Sequence, residues 1–333
     1  DENHRPGRAR HELHERVVPR SRAQSASIAT ISCTFTGLRL ESGFMQSVAP
    51  MNEEAVEAWS GVLFDRWIAF RDILTTQIAP FSEEALRWNG PDAGARVLDI
   101  GCGLGDTTTR LAELVGAEGG VVGIDAGERF IECAREEAAE AGAANVDYIV
   151  GDAQVADLGE GFDYAFSRFG TMFFAGPVAA LRNVRGALAP GGRLCMIVWR
   201  RKLDNDWLHR GELVVDRFLD EPEETDEPTC GPGPFSMANA DTTTEILVHA
   251  GFEEITLRRH DIAYRMGADL DDAIALVTAL GPAGELIRLA GDEAERIRPE
   301  IEAALRETYG ELVEPDGVFA PASVWMVGAR APG

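Results

Sequence analysis

Between Arg96 and Trp199 short apolar runs alternate with amphipathic stretches, and this texture limits the fold more than any other feature of the chain. Strand-like runs fall at Arg96–Ile100, Val121–Asp125, Val146–Val150, Phe162–Ser167 and Arg193–Trp199. Helical patterns separate them at Asp106–Val115, Glu128–Ala141 and Pro177–Leu188, and Pro190-Gly191-Gly192 reads as a turn between the last helix and its strand. Alternation at this spacing predicts an α/β fold with a doubly wound, mainly parallel sheet. Further strands expected at Glu253–His260 and Ser323–Ala329 bring the sheet to seven.

The flanking segments read as helical additions to that sheet. Trp59, Leu63, Trp67, Phe70 and Leu74 recur at helical intervals, predicting a cap over 51–95 built from two helices broken near Pro80. Residues 96–333 form the α/β domain, with helical insertions at about 203–240 and 266–312. These comprise a helix at about Asp206–Leu219, an acidic Pro-rich stretch at Asp220–Pro234, and helices at Leu270–Leu289 and Asp292–Tyr309. A helix at Asp241–Ala250 precedes the sixth strand.

The first 50 residues are Arg- and Ser-rich without an apolar period and are expected to be a disordered extension. Asp1, Glu2, Glu12 and Glu15 count against a transit peptide. The chain does not begin with Met, and Met51 stands directly before the first helix, so an upstream extension or misplaced start is the expected explanation. "HELHE" spaces its histidines three apart rather than the four that put two ligands on one helical face, so no metal site is expected.

A net charge of −25 opposes binding to a nucleic-acid backbone, which depends on Lys and Arg neutralising phosphates. No apolar run approaches the roughly 20 residues needed to span a bilayer. The five cysteines, Cys33, Cys102, Cys133, Cys195 and Cys230, form no CxxC pair, which fits a reducing cytoplasm better than a disulfide framework.

The first strand runs into "RVLDIGCGLGDTTTRLA", Arg96 to Ala112. A loop after the first strand of such a sheet is where nucleotide-like ligands lie. Its glycines are Gly101, Gly103 and Gly105, and Asp106 stands where the dinucleotide pattern G-x-G-x-x-G needs its third glycine. A carboxylate at a helix start repels a pyrophosphate, which counts against a nicotinamide-dependent oxidoreductase.

"VLDIGCGLGD" resembles motif I of the class I S-adenosylmethionine-dependent methyltransferases, D/E-x-G-x-G-x-G. "GIDAGERFIECAR", "VDYIVGDA" and "FDYAFSRFGTMFFAGPVAALRNVRGALAPGGRLCMIVW" continue the resemblance in order. It covers roughly Met51 to Arg330 and extends to a bacterial small-molecule subgroup with a Trp-containing N-terminal helix, an "SRFG-MFF" segment and a terminal "ARAP".

The resemblance implies S-adenosylmethionine as cofactor. Gly101, Cys102, Gly103 and Gly105 would pass beneath its methionine portion, and Asp99 would order the loop and reach toward the ammonium group. Asp125, 20 residues beyond Gly105, with Ala126 beside it, would take the ribose hydroxyls; the rival role is a capping box with Glu128. Asp152 and Ala153 would meet the adenine, against the alternative of a plain Asx turn. Ser167 and Arg168 would lie near the cofactor ammonium. Trp59, Trp67, Phe169, Met172, Phe173 and Trp207 are expected to line the acceptor pocket, although aromatic clusters are as often core.

No catalytic residue is assigned: His209, His249 and His260 are candidate bases, each more often a surface or satisfied residue. The N/D-P-P-Y/F/W tetrapeptide of methyltransferases acting on DNA bases and glutamine is absent, Ser167-Arg168-Phe169-Gly170 standing in its place. The expected partner is a small, partly apolar metabolite, its accepting atom O, C or N left open, and a homodimer is allowed. A non-catalytic cofactor-binding scaffold is the alternative.

Overall fold

The computed structural model describes residues 48–220 and 232–333. Most of the N-terminal extension with its HELHE stretch, Cys33, Cys230 and most of the acidic insertion lie outside the described residues. The sheet strands are β1 (Arg96–Ile100), β2 (Gly120–Asp125), β3 (Val146–Val150), β4 (Phe162–Arg168), β5 (Leu188–Trp199), β6 (Glu253–Gly267), β7 (Val313–Glu314) and β8 (Gly317–Arg330). Their order is β3-β2-β1-β4-β5-β8-β6, with the two-residue β7 pairing on β8. The pairs joining β3, β2, β1, β4 and β5 are all parallel, and β8 runs antiparallel to both its neighbours. The expected doubly wound, mainly parallel sheet is the observed one.

Its central strands are buried on both faces. Val97, Leu98, Tyr164, Phe166, Leu194 and Met196 are all fully buried, as continuous apolar runs in a parallel sheet require. The strand order reverses between β1 and β4, which opens a crevice beyond their carboxyl ends. There the loops after the two strands nearly touch: a Cβ on Gly101 would lie 3.0 Å from the Gly170 Cα.

The expected turn at Pro190-Gly191-Gly192 sits within the bounds of β5. Phe162 pairs with Leu188 and Tyr164 with Arg193, so Ala189–Gly192 loop out of the ladder, with Gly191 at φ +73°.

Helices α1 (Glu53–Ser60), α2 (Val62–Ala69) and α3 (Arg71–Asn89) precede the sheet. The break expected near Pro80 is not there; the chain breaks at Gly61 and Phe70, and Pro80 lies inside α3. Leu74, Ile78, Phe81 and Ala85 form one buried stripe through the proline, and this packing holds the helix despite the lost backbone hydrogen bond.

The crossover helices are α4 (Asp106–Val115), α5 (Glu128–Glu140) and α6 (Pro177–Ala187), followed later by α7 (Asp206–Val215) and α8 (Ala240–Ala250). The single helix expected over Leu270–Leu289 is two, α9 (Leu270–Ala279) and α10 (Gly281–Ala290), bent by 63°. Gly281 causes the break: it takes φ +74°, and a Cβ there would lie 2.3 Å from the Leu208 side chain on α7. Helix α11 (Asp292–Gly310) completes the insertion. Among the described residues no single helix is long and apolar enough to cross a membrane. The bent pair α9–α10 passes by combined length and composition, and its residues Ile274, Leu276, Val277 and Ile287 are buried in the core.

Candidate active site

The crevice opens into a cavity of about 570 Å³. One wall is the β1–α4 loop, where Gly101, Gly103 and Gly105 adopt φ of +66°, +54° and +82°, a region only glycine enters without strain. The Gly101 and Cys102 N–H groups donate to the Ile124 carbonyl at 2.8 and 3.1 Å, fastening the loop to β2. The three glycines do different work. Gly101 and Gly103 line the cavity; Gly105 does not. A Cβ on Gly105 would meet the Tyr148 hydroxyl at 2.6 Å and Ala134 at 3.0 Å, whereas one on Gly103 would meet nothing within 4 Å. Gly103 is therefore the bare surface open to a ligand, and Gly105 is a packing residue.

Asp125, at the end of β2, accepts from the Gly103 N–H through Oδ2 (3.0 Å) and from the Gly127 N–H through Oδ1 (2.9 Å). Helix α5 begins one position after Gly127, its N-cap, with no side-chain cap, so the capping-box reading of Asp125 and Glu128 is not realised. Burial pushes the Asp125 pKa up, against the pull of these backbone donors. Each oxygen keeps lone-pair capacity toward the cavity that Asp125 and Ala126 both line.

Asp99 lies behind the loop, 1% exposed and off the cavity wall. Its Oδ2 accepts from the Thr108 hydroxyl at 2.7 Å and its Oδ1 has no partner. Burial raises its pKa to about 6, the Thr108 hydrogen bond and Arg168 opposing. A folded-state pKa above the unfolded one means that the stabilising protonated form is complete below about pH 4 and is lost as pH rises through about 6. Asp99→Asn, which keeps an acceptor for Thr108, is thus expected to raise the unfolding free energy at pH 8 by up to about 3 kcal/mol and to change little at pH 4. Denaturant titration at the two pH values checks this; equal effects at both would contradict it.

Asp152 forms the Asx turn considered from sequence, Oδ1 accepting from the Gln154 N–H at 2.9 Å, and also faces the cavity with Ala153. Its Oδ2 accepts from the Ala49 N–H (3.1 Å) and from Gln154 Nε2 (3.0 Å), tying the start of the described chain to the end of β3. Ser167 is fully buried, donates to the Ile100 carbonyl at 2.8 Å and does not reach the cavity. Arg168 does reach it. Its Nη2 contacts both Asp106 oxygens, at 2.9 and 2.7 Å, and Nη1 donates to the Ser82 hydroxyl at 3.2 Å. The Asp106 charge is therefore compensated, and repulsion of a pyrophosphate weighs less than its position alone suggested.

The opposite wall is apolar. Trp59, Trp67, Phe169, Met172, Phe173 and Trp207 all line the cavity. Phe169, at φ +60°, stacks on Trp199 with centroids 4.1 Å apart and meets Phe81 edge-on. Trp59 contacts Phe173 edge-on at 5.0 Å, and Trp207 stacks on Tyr264 at 4.3 Å. Arg66 from α2 donates to the carbonyls of Ala279 and Gly284, joining the cap to α9 and α10 across the cavity.

None of the three histidines lines the cavity. His209 contacts Glu212 at 3.4 Å, His249 pairs with the Glu245 carbonyl on α8, and His260 lies against Phe81. Beside Asp106, Asp125, Asp152 and Arg168, the cavity is lined by Asn52, Arg66, Lys202, Glu212, Asp216 and Glu285, which were not singled out in the sequence. Each comes from the cap or an insertion, where no motif marks it. Among the described residues no group of three His, Cys, Asp or Glu side chains could hold a metal ion.

Residues 91–242 match the family model for a methyltransferase domain. That stretch holds motif I and the strands that border the crevice, and over it the chain resembles the class I S-adenosylmethionine-dependent methyltransferases. It is similar to an aklanonic acid methyltransferase of Streptomyces, 37% identical over 34% of this chain and 53% of that one. A ubiquinone biosynthesis O-methyltransferase of Ruegeria pomeroyi is 37% identical over 44% of this chain and 59% of its own, and a demethylmenaquinone methyltransferase of Listeria monocytogenes 34% over 34% and 49%. The chain spans about half the length of the curated relatives it matches. Among solved structures, the YcgJ protein of Bacillus subtilis aligns with a TM-score of 0.49 at 17% identity, over 78% of this chain and 99% of that one.

The residues present fit S-adenosylmethionine. Gly103 leaves open the space a Cβ would fill, Asp125 stands one strand over with free acceptor capacity, and the Asp99 Oδ1 is a buried acceptor without a partner.

Proposed function

We propose that the chain transfers a methyl group from S-adenosylmethionine to a small, partly apolar metabolite. The observation that carries this reading is the continuity of one cavity, lined by a glycine and carboxylate wall at the strand ends and by aromatic residues from the loop after β4, the cap and the insertions. Its volume falls in the usual range for small-molecule sites, roughly 300–1,000 Å³. The relatives named for aklanonic acid and for quinone synthesis support an aromatic, oxygen-bearing acceptor of that kind.

When bound, S-adenosylmethionine supplies a methyl group on a sulfonium centre, open to in-line displacement. The chain's own part is to position and to exclude water. Gly101 and Gly103 allow close approach of the backbone; Asp125 accepts from the ribose hydroxyls; Asp99 compensates the ammonium charge from behind the loop. Phe169, Phe173, Trp59 and Trp207 give the acceptor a dry, flat-sided slot in which the reacting atom is held in line. The described residues bring no histidine to that slot, so an acceptor that loses a proton hands it to a carboxylate, to water, or has lost it before it binds.

A mass-spectrometric screen of metabolites for the gain of one methyl group, coupled to formation of S-adenosylhomocysteine, tests the reading. Products that gain a methyl only with the chain present support it; binding of S-adenosylmethionine without turnover on any extract would favour the scaffold alternative. Asp125→Ala is expected to weaken S-adenosylhomocysteine binding by about 1–3 kcal/mol, because the ribose hydroxyls lose their acceptor. Calorimetry showing unchanged affinity would place the ribose elsewhere.

A further inference from the structure

Arg66, in the last turn of the cap helix α2, lines the cavity where it meets the insertion helices. Two other cations on that side already have carboxylates. Lys202 Nζ contacts Glu212 Oε1, and Arg288 holds Glu285 through two hydrogen bonds of 2.9 Å, from Nε to Oε2 and from Nη2 to Oε1. Arg66 has only backbone carbonyls. Its Nη1 donates to Ala279 O at 3.1 Å and to Gly284 O at 3.4 Å, and among the described residues no carboxylate pairs with it.

The other edge of the guanidinium is unused. Nε and Nη2 have no hydrogen-bond partner among the described residues, and neither atom is sealed from the accessible surface. Burial and then Arg288 pull the Arg66 pKa down, with Glu285 opposing and Arg298 adding to the pull. The group therefore stands in a surplus of positive charge, and carbonyl dipoles supply only part of the counter-charge that a partly desolvated cation requires. The Nε–H and Nη2–H bonds of an arginine are parallel, the fork that meets both oxygens of a carboxylate at once.

Resting on the methyl-transfer reading above, we infer that Arg66 is a specificity residue for the acceptor: its unused Nε–Nη2 edge takes a carboxylate carried by a flat aromatic acceptor. The acceptor then supplies the counter-charge that the chain withholds. S-adenosylmethionine carries a carboxylate too, but the hydrogen bonds of Arg66 fasten it to α9 and α10, and none goes to the glycine loop.

Isothermal calorimetry on the full chain, saturated with S-adenosylhomocysteine, tests this with three matched pairs: benzoate, 1-hydroxy-2-naphthoate and anthraquinone-2-carboxylate, each against its own carboxamide. The unaltered chain is expected to prefer the carboxylate of at least one pair by about tenfold or more. Arg66→Met is expected to weaken that carboxylate by about 10- to 100-fold and its carboxamide by less than about threefold, a split that a purely structural link between the cap and the insertion would not produce. Arg66→Lys keeps the charge without the fork and is expected to fall between the two. Melting of the ligand-free variants close to that of the unaltered chain would show the cap in place; should Arg66→Met melt lower, the unaltered chain and Arg66→Lys carry the test. The inference is overturned if the unaltered chain binds no carboxylate better than its carboxamide, or if Arg66→Met weakens both members of a pair alike. Arg66→Met that loses S-adenosylhomocysteine while keeping the preference for carboxylates would assign the guanidinium to the cofactor and overturn it as well. An unaltered chain that does not bind S-adenosylhomocysteine would instead overturn the cofactor reading itself.

Discussion

Gly103→Val is expected to abolish binding of S-adenosylhomocysteine while the chain stays folded. Gly103 lines the cavity, and its missing Cβ points into open space. A valine there puts three carbons where the ligand must touch backbone. The fold pays only for a non-glycine residue at φ +54°, on the order of 1–3 kcal/mol. Gly105→Val should behave in the opposite way, since its Cβ would strike Tyr148 and Ala134 inside the packed layer between the loop, α5 and β3; stability falls first, and ligand binding is lost with it. Calorimetry beside thermal melting separates the two. Unchanged affinity in Gly103→Val would mean that the loop holds no ligand.

Arg168→Met is expected to cost about 2–4 kcal/mol of stability at pH 7, because it leaves the Asp106 carboxylate without its partner. The Arg168 side chain is 8% exposed and Asp106 29%, and the same guanidinium holds Ser82 on α3. It therefore ties together the end of β4, the start of α4 and the cap. Adding Asp106→Asn should recover a large part of the loss, since a neutral amide needs no counter-charge. Denaturant unfolding of the single and double variants measures the coupling. Additive losses would show that Arg168 acts through packing rather than through the ion pair.

Much of the strand-end wall of the cavity could be read from the chain alone because that wall is largely local. Strands β1 and β3 and helix α4 fall on their expected residues, each an unbroken apolar or one-faced run bounded by glycine or a polar turn. Eight of the eleven expected cofactor residues line the cavity, and Asp99, Gly105 and Ser167 sit behind it as supports. Spacing alone does not separate the two groups: Gly103 and Gly105 look alike in sequence, and only the approach of Tyr148 from β3 distinguishes them.

Where partners are distant, the sequence said less. Strand β6 runs to Gly267 rather than His260, and β8 starts at Gly317 rather than Ser323, because each extends along the other through pairs such as Ala263 with Pro321. The proline lowers the apparent strand character of its own segment, and the ladder to β6 overrides it. The Gly281-Pro282 dipeptide carried a readable break signal between α9 and α10; its cause, the Leu208 side chain on α7, was not readable. Asn52, Arg66 and Glu212 reach the cavity from segments far apart in the chain.

A crystal structure of the chain grown with S-adenosylhomocysteine tests the central claim most directly. The account predicts the homocysteine portion lying over Gly101 and Gly103, both ribose hydroxyls within hydrogen-bonding distance of the Asp125 carboxylate, and the adenine beside Ala153. A ligand bound outside this crevice, or a glycine loop that takes the pyrophosphate of NAD in its place, would contradict it.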